Sequence, residues 1–449
     1  MAAADKARFY LEQSIPELHE YEKKKVFNKD EIAAITRKRS DFEHRIAASG
    51  CSAQVFTRYA SYEMNLSSLF RLRCSRLQIR ARMHYGTRRI FFILDRATRK
   101  FPGDVGLWLQ YIDYAKREKA NTVLAKALAN VLKLHPAKPM LWILAARQAV
   151  EGEGDVAAAR SHMQRGLRFN AKSRELWREY AKLEMVFVAK VFLRRKVLGI
   201  DQPKEAEAQA DKDADGDENM WKLPEITGED FEGVKKDKSL DTIALENAET
   251  NPALNGALAI AIFDQAMKEI PGDLAFAAEF YDLFAQFDRL SCCARLLEHV
   301  VKHMLDTAPK SARSLWLGVQ LPLFGVDTAD PLFPGRLSTA LSGMAAAVGE
   351  TDQKSELYLS FVRYFTGLLE ASPELDAGIR KVISASLIKY FKQAEKEGET
   401  TPELYALWVQ FTDRREKKEE AARIAQRGRE RYPGDLVLLQ LEGSESKSS

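Results

Sequence analysis

Between residues 71 and 100 the chain carries Arg71, Arg73, Arg76, Arg80, Arg82, Arg88, Arg89, Arg96, Arg99 and Lys100 against one acid, Asp95. His84, Tyr85, Phe91 and Phe92 are interleaved with them. Guanidinium groups neutralise phosphates and stack on unpaired bases, so Arg71, Arg73, Arg76, Arg80, Arg82, Arg88 and Arg89 are candidate RNA contacts. The same composition suits the docking of an acidic partner segment or a plain solvated helix, and a charge run alone does not choose among the three. A second constellation, Cys292, Cys293, His299 and His303, sets two histidines at i and i+4 on one helix face. Its Glu298 precedes the first histidine in "LEHVVKH", so the order of a zinc protease motif is missing. Two adjacent cysteines do not easily ligate beside that pair, and Leu297 and Val300 mark an ordinary packed helix. In "DKDADGDEN" Gly216 takes the sixth place of a calcium loop begun at Asp211, but Lys222 stands where the twelfth needs a glutamate. No G-x-S-x-G, P-loop or dinucleotide fingerprint occurs. The expectation is a protein without catalytic residues, metal or cofactor.

Elements must position these residues, and the chain writes its elements repeatedly. "ILDRATRKFPGD" at 93–104 returns as "IFDQAMKEIPGD" at 262–273, and Pro-Gly-Asp closes "RGRERYPGD" at 427–435. Five tryptophans follow a leucine: Trp108, Trp142, Trp177, Trp316 and Trp408. The first three lie 34 and 35 residues apart, and six residues before each stand Pro102, Pro136 and Ala171. A fixed period in the thirties signals stacked helical hairpins. In "GLWLQYIDYAKRE" Leu107, Trp108, Tyr111, Tyr114 and Ala115 share one face of a first helix. In "RRIFFILDRATRK" Ile90, Phe91, Leu94, Ala97 and Phe101 form the stripe of a second. Pro102 stops that helix, Gly103 permits a turn and Asp104 can cap the next. A single hairpin cannot bury its apolar face, so Trp108, Tyr111, Trp142, Trp177, Tyr180, Trp316 and Trp408 are expected to form the core between neighbours.

The expected fold is all-α, a superhelical solenoid of such hairpins. Residues 1–54 read as a helical N-terminal segment, 55–200 as a first repeat block, 201–245 as an acidic flexible insertion, 246–441 as a second block and 442–449 as a disordered tail. The insertion is acidic and poor in aliphatic residues, so it cannot bury enough apolar surface to order itself. Trp221 within it could anchor on the solenoid or on a partner. The period breaks between 320 and 356. At 449 residues, 46% hydrophobic and 29% charged, most of the chain should fold. A net charge of +4 is small for this length, so any nucleic-acid contact must come from local clustering. Cys51, Cys74, Cys292 and Cys293 show no CxxC pairing, which fits a reducing compartment. No run reaches roughly 18 uncharged apolar residues, and no apolar stretch follows a basic start, so a soluble, non-secreted protein is expected. "YEKKKVF" at 21–27 and "TRKRS" at 36–40 read as short exposed basic runs that could serve nuclear import.

The tryptophan, aromatic and glutamate signature of the first helix, the Asp-Arg-Ala signature of the second and the trailing proline resemble HAT, or half-a-TPR, repeats. The opening "DKARFYLEQSIPELHEYEKKKVFNKDEI", then "KRSDFEHRI", "RRIFFILDRATRKFPGD" and "MQRGLRF", resemble the U-three small nucleolar RNA-associated protein six family. The likeness covers residues 1–200 well and the later repeats more loosely. It implies a nucleolar scaffold in the UTP-B subcomplex of the small-subunit processome, needed for small-subunit rRNA maturation. Its implied partners are β-propeller proteins, with small nucleolar RNA and pre-rRNA touched directly or indirectly, and no membrane. The rival readings are a HAT scaffold in pre-mRNA splicing or 3′-end formation, and a metal-dependent enzyme in the C-terminal block.

Overall fold

The computed structural model describes residues 3–79, 84–197, 254–371, 375–415 and 417–433. Arg80, Arg82, the calcium-like loop, Trp221, the acidic stretch 201–245 and the tail 442–449 lie outside the described residues. Among those described, every regular element is helical. The fold is an all-α helical-repeat solenoid, and its contacts divide it into two compact units, Met1–Asn170 and Ala171–Ser449.

In the first unit, α1 (Ala3–Glu12), α2 (Ile15–Lys23) and α3 (Lys29–Ala47) precede a hairpin of α4 (Ala53–Arg76) and α5 (His84–Lys100). Two further hairpins follow, α6 (Val105–Arg117) with α7 (Asn121–Leu134) and α8 (Pro139–Gln148) with α9 (Val156–Phe169). The punctuation works chemically. Asp104 accepts from the amides of Gly106 and Leu107 at 2.9 and 3.4 Å, satisfying two orphan donors at the start of α6. Leu107, Trp108, Tyr111, Tyr114 and Ala115 are buried, as their spacing predicts.

The position six residues before each tryptophan has a physical reason. The indole Nε1 of Trp108 donates to the Pro102 carbonyl at 3.0 Å, that of Trp142 to Pro136 at 2.9 Å and that of Trp177 to Ala171 at 2.7 Å. These carbonyls end the preceding helix and have no helical partner of their own. The second arm of the same hairpin ends on two of these atoms: His135 Nε2 lies 2.8 Å from the Pro102 carbonyl and Asn170 Nδ2 donates to Pro136 at 2.9 Å. The Pro102 and Pro136 carbonyls are thus each held by both arms of the hairpin that follows them.

The change of period from 34 to 35 is also visible. Helix α8 begins 34 residues after α6, but α9 begins 35 after α7, so the extra residue lies within the α8 arm. There the helix loosens into a π turn, Ala149–Glu153, which ends at left-handed Gly154 (φ +72°). A π turn is what an α-helix forms around one surplus residue.

The second unit holds α10 (Arg174–Val197), α11 (Ala257–Glu269), α12 (Leu274–Ala285), α13 (Cys293–Thr307), α14 (Ala312–Gln320), α15 (Phe333–Glu350), α16 (Lys354–Ala371), α17 (Ala377–Glu397), α18 (Pro402–Asp413) and α19 (Lys418–Arg431). They pair in sequence from α10 with α11 to α18 with α19. The helix of Trp177, read from the sequence as part of a block ending at 200, finds its hairpin partner in α11, beyond the acidic stretch. That stretch therefore falls between the two arms of one hairpin. The irregularity at 320–356 is a longer connection, with a 3₁₀ turn at Leu321–Leu323, and α14 still packs on α15. The two described Pro-Gly-Asp copies differ in backbone. Gly272 is left-handed at φ +76°, whereas Gly103 is not, so of these two only the copy at 271–273 demands glycine. Asp273 repeats the cap, accepting from Phe276 N at 3.1 Å.

Candidate interaction surfaces

Among the described residues of the basic run, Arg71, Arg73, Arg89, Arg96 and Arg99 each engage a carboxylate of the protein itself. Arg73 forks onto both oxygens of Glu31 at 2.7 and 2.8 Å, donates to the Val26 carbonyl and stacks on Phe27. Arg71 reaches Glu118 at 2.5 Å, and Arg89 reaches Glu17 at 3.1 Å with a side chain only 12% exposed. Arg96 binds Glu43 through both nitrogens at 3.0 Å and lies over the Tyr10 ring. Of the described candidates, Arg76 and Arg88 are left exposed. The run is a set of struts between elements more than a continuous cationic face.

One of these struts, Arg89 on Glu17, joins a buried network. Arg39, the second arginine of "TRKRS", is 0% exposed, and its guanidinium meets Glu63 at 2.7 and 2.8 Å and Glu17 at 3.1 and 3.3 Å. Tyr21 donates its hydroxyl to Glu17 at 2.5 Å. Burial pushes the Glu17 carboxyl up, but Arg39 and Arg89, with the Tyr21 hydroxyl, outweigh it and hold its pKa below the ordinary carboxylate value. Burial would lower the Arg39 pKa, but the charges of Glu63 and Glu17, with their hydrogen bonds, outweigh it and raise it. The expectation that "TRKRS" and "YEKKKVF" lie exposed is corrected at Arg39, and at Tyr21, Val26 and Phe27, which are 4% exposed in an apolar cluster. A polar pattern hides a buried arginine because its burial depends on acids 22 and 24 residues away. One local signal exists, the Arg39 and Glu43 pair at i and i+4, both buried.

All of Trp108, Tyr111, Trp142, Trp177, Tyr180, Trp316 and Trp408 are at most 8% exposed. Trp316 and Trp408 are held by rings: Phe361 and Tyr364 meet the first edge-on, and Phe391 stacks on the second at 5.0 Å. In the Cys/His constellation His299 Nε2 lies 2.6 Å from Asp264, and both histidines pack edge-on against Phe263. Cys293 is buried and donates to the Phe284 carbonyl, and burial pushes its thiol pKa up to about 12. Among the described residues no three His, Cys, Asp or Glu groups are placed to hold a metal ion. No described helix is long and apolar enough to cross a membrane.

A groove that the sequence does not single out opens between α5 and α7, floored by α6, with a volume of about 490 Å³. Its rim carries Arg99, Lys126, Asn130 and Lys133, all exposed, and its floor Trp108, Tyr111, Val123 and Ala127. Asp95 also lines the groove, and burial, with Asp95 nearby, lifts the Tyr111 phenol to about 12.

Comparison with known proteins finds likeness in the N-terminal part of the chain. Residues 11–93, which contain Glu17, Arg39, Glu43, Glu63 and Arg89, match the family model described as U3 small nucleolar RNA-associated protein 6. U3 small nucleolar RNA-associated protein 6 of Schizosaccharomyces pombe is 38% identical over 199 residues, 43% of this chain and 41% of that protein. A Dictyostelium discoideum homolog of the same name is 24% identical over 294 residues, 63% of this chain and 46% of its own length. The chain thus spans under half the length of either relative. The solved APC/C hetero-tetramer Cut9-Hcn1 covers 90% of this chain and 62% of its own at 10% identity, with a TM-score of 0.23 that carries no argument.

Proposed function

We propose that this chain, a relative of the U3 small nucleolar RNA-associated protein 6 family through its N-terminal part, is a non-catalytic scaffold of HAT repeats in the small-subunit processome. In that role it resides in the nucleolus, within the UTP-B subcomplex, and supports small-subunit pre-rRNA processing. It holds β-propeller partners in a fixed arrangement, with small nucleolar RNA or pre-rRNA nearby. The match over residues 11–93 carries the reading. The physical form agrees with it, because stacked hairpins offer extended surfaces that bind by shape and many contacts. The placement of His299 against Asp264 and of Cys293 in the core also favours packing over catalysis.

The test is to tag the protein in its own cells, purify it at moderate salt, sequence the co-purifying RNA and identify the proteins by mass spectrometry. Recovery of U3-class small nucleolar RNA, pre-rRNA and β-propeller proteins is expected. Spliceosomal or polyadenylation components in their place would overturn the assignment and leave the fold standing.

A further inference from the structure

We propose that the groove between α5 and α7 binds an extended acidic peptide of a partner protein, one in which acidic and aliphatic residues alternate. The inference rests on the scaffold reading and gives it a specific contact. Three observations carry it.

The first is charge. Asp95 is the only acidic residue on α5, α7 and α9, and Arg99 already engages it at 2.7 Å. Arg99, Lys133 and Arg168 each stand three residues before Pro102, Pro136 and Ala171, so the repeat presents one exposed cation per hairpin at the same place. Lys126 adds a cation away from the last helical turn, where the helix dipole alone would not favour one. The second is the floor. Leu134, 51% exposed, and the half-buried Val123 give open apolar surface between Arg99 on one wall and Lys126 and Lys133 on the other, and the exposed amide of Asn130 offers both a donor and an acceptor to a peptide backbone. In an extended strand successive side chains point to opposite sides, so alternation sends acids to the rim and aliphatic groups to the floor. The third decides between peptide and RNA. Single-stranded RNA needs open ring faces for base stacking, yet the groove rings, Trp108 and Tyr111, are only 4% and 8% exposed.

The experiment measures fluorescence anisotropy of the full chain with three fluorescein-labelled probes: a peptide alternating Asp and Leu, one alternating Lys and Leu, and oligouridylate. The acidic peptide is expected to bind with salt-sensitive affinity and the basic one not at all. Arg99→Glu with Lys133→Glu should weaken it about tenfold or more. Arg423→Glu, a reversal at a side chain 79% exposed on α19, should leave it unchanged. Asn130→Ala should weaken binding without altering its salt dependence. Hydrogen exchange on the unmutated protein should slow in α5 and α7 when the peptide is added, which needs no variant to fold. Peptide binding indifferent to the double reversal would overturn the proposal. So would oligouridylate binding that the reversal abolishes while no peptide binds, and so would peptide binding that appears only after residues 198–253 are deleted, since the chain would then fill its own groove. Small nucleolar RNA that still co-purifies with the double variant would leave the processome reading intact whatever the peptide does.

Discussion

At the scale of the residue, Arg39 is the side chain on which the first unit most depends. Removing Arg39 leaves buried Glu63 without its guanidinium and Glu17 with only Arg89 and Tyr21, so Arg39→Ala should cost about 3 to 5 kcal/mol in chemical denaturation. A loss near zero would mean that water reaches Glu17 and Glu63. Acid should act on this network and on the separate Arg73–Glu31 pair. Glu17 has a lowered folded pKa, and Glu31, bonded by Arg73 and by the Asn28 amide, is held at about 2. Such groups add stability that is full above the ordinary carboxylate value and lost as pH falls through the folded one. Unfolding midpoints followed by circular dichroism should therefore drop as pH falls from about 4.5 toward 2. A flat profile across that window would count against the network. These partners also bear on RNA tests: Arg89 reversed to Glu would face Glu17 and damage the fold, whereas Arg76 and Arg88 are exposed and report on the surface alone.

At the scale of the element, the tryptophan of each hairpin both packs and pairs. Trp142→Phe keeps a ring in the core but leaves Asn170 as the remaining side-chain donor to the Pro136 carbonyl, a loss of about 0.5 to 1.5 kcal/mol. Trp142→Ala removes the ring as well and should cost about 3 to 5 kcal/mol. Equal losses in thermal or denaturant melts would show that the hydrogen bond contributes nothing. Much of this was legible in the sequence. The spacing of Leu107, Trp108, Tyr111 and Ala115 marked a buried face, and the constant six-residue offset marked a contact whose chemistry, an indole N–H to a turn carbonyl, only the coordinates of both partners reveal. The groove was not legible, because its walls come from two helices whose exposed Arg99 and Lys133 look, along the chain, like ordinary cations near helix ends.

At the scale of the whole molecule, the sequence suggested two repeat blocks parted by an acidic insertion, while the contacts place the division at Asn170 and the insertion inside a hairpin. Composition reveals where a chain cannot pack, but not which flanking helices pack on each other across it. Truncation after Asn170 should therefore give a folded, monodisperse unit. Truncation after Ile200 leaves α10 without α11 and should aggregate, as size-exclusion chromatography would show. Two equally well-behaved fragments would argue that α10 does not need its partner.

The π turn at Ala149–Glu153 means that this chain keeps a length gauge. Successive turns are tied through the Pro102 and Pro136 carbonyls, so a residue gained or lost inside a bonded arm would move every later donor off its acceptor. The surplus residue sits instead where the helix can widen, leaving the frame downstream undisturbed. Deleting Gly152 should accordingly close the widening into plain α-helix, restore a 34-residue spacing between Trp142 and the following indole, and leave the melting temperature nearly unchanged. Deleting Ser161 from α9 should not be tolerated. Equal damage from both deletions would show that the frame is kept by packing alone.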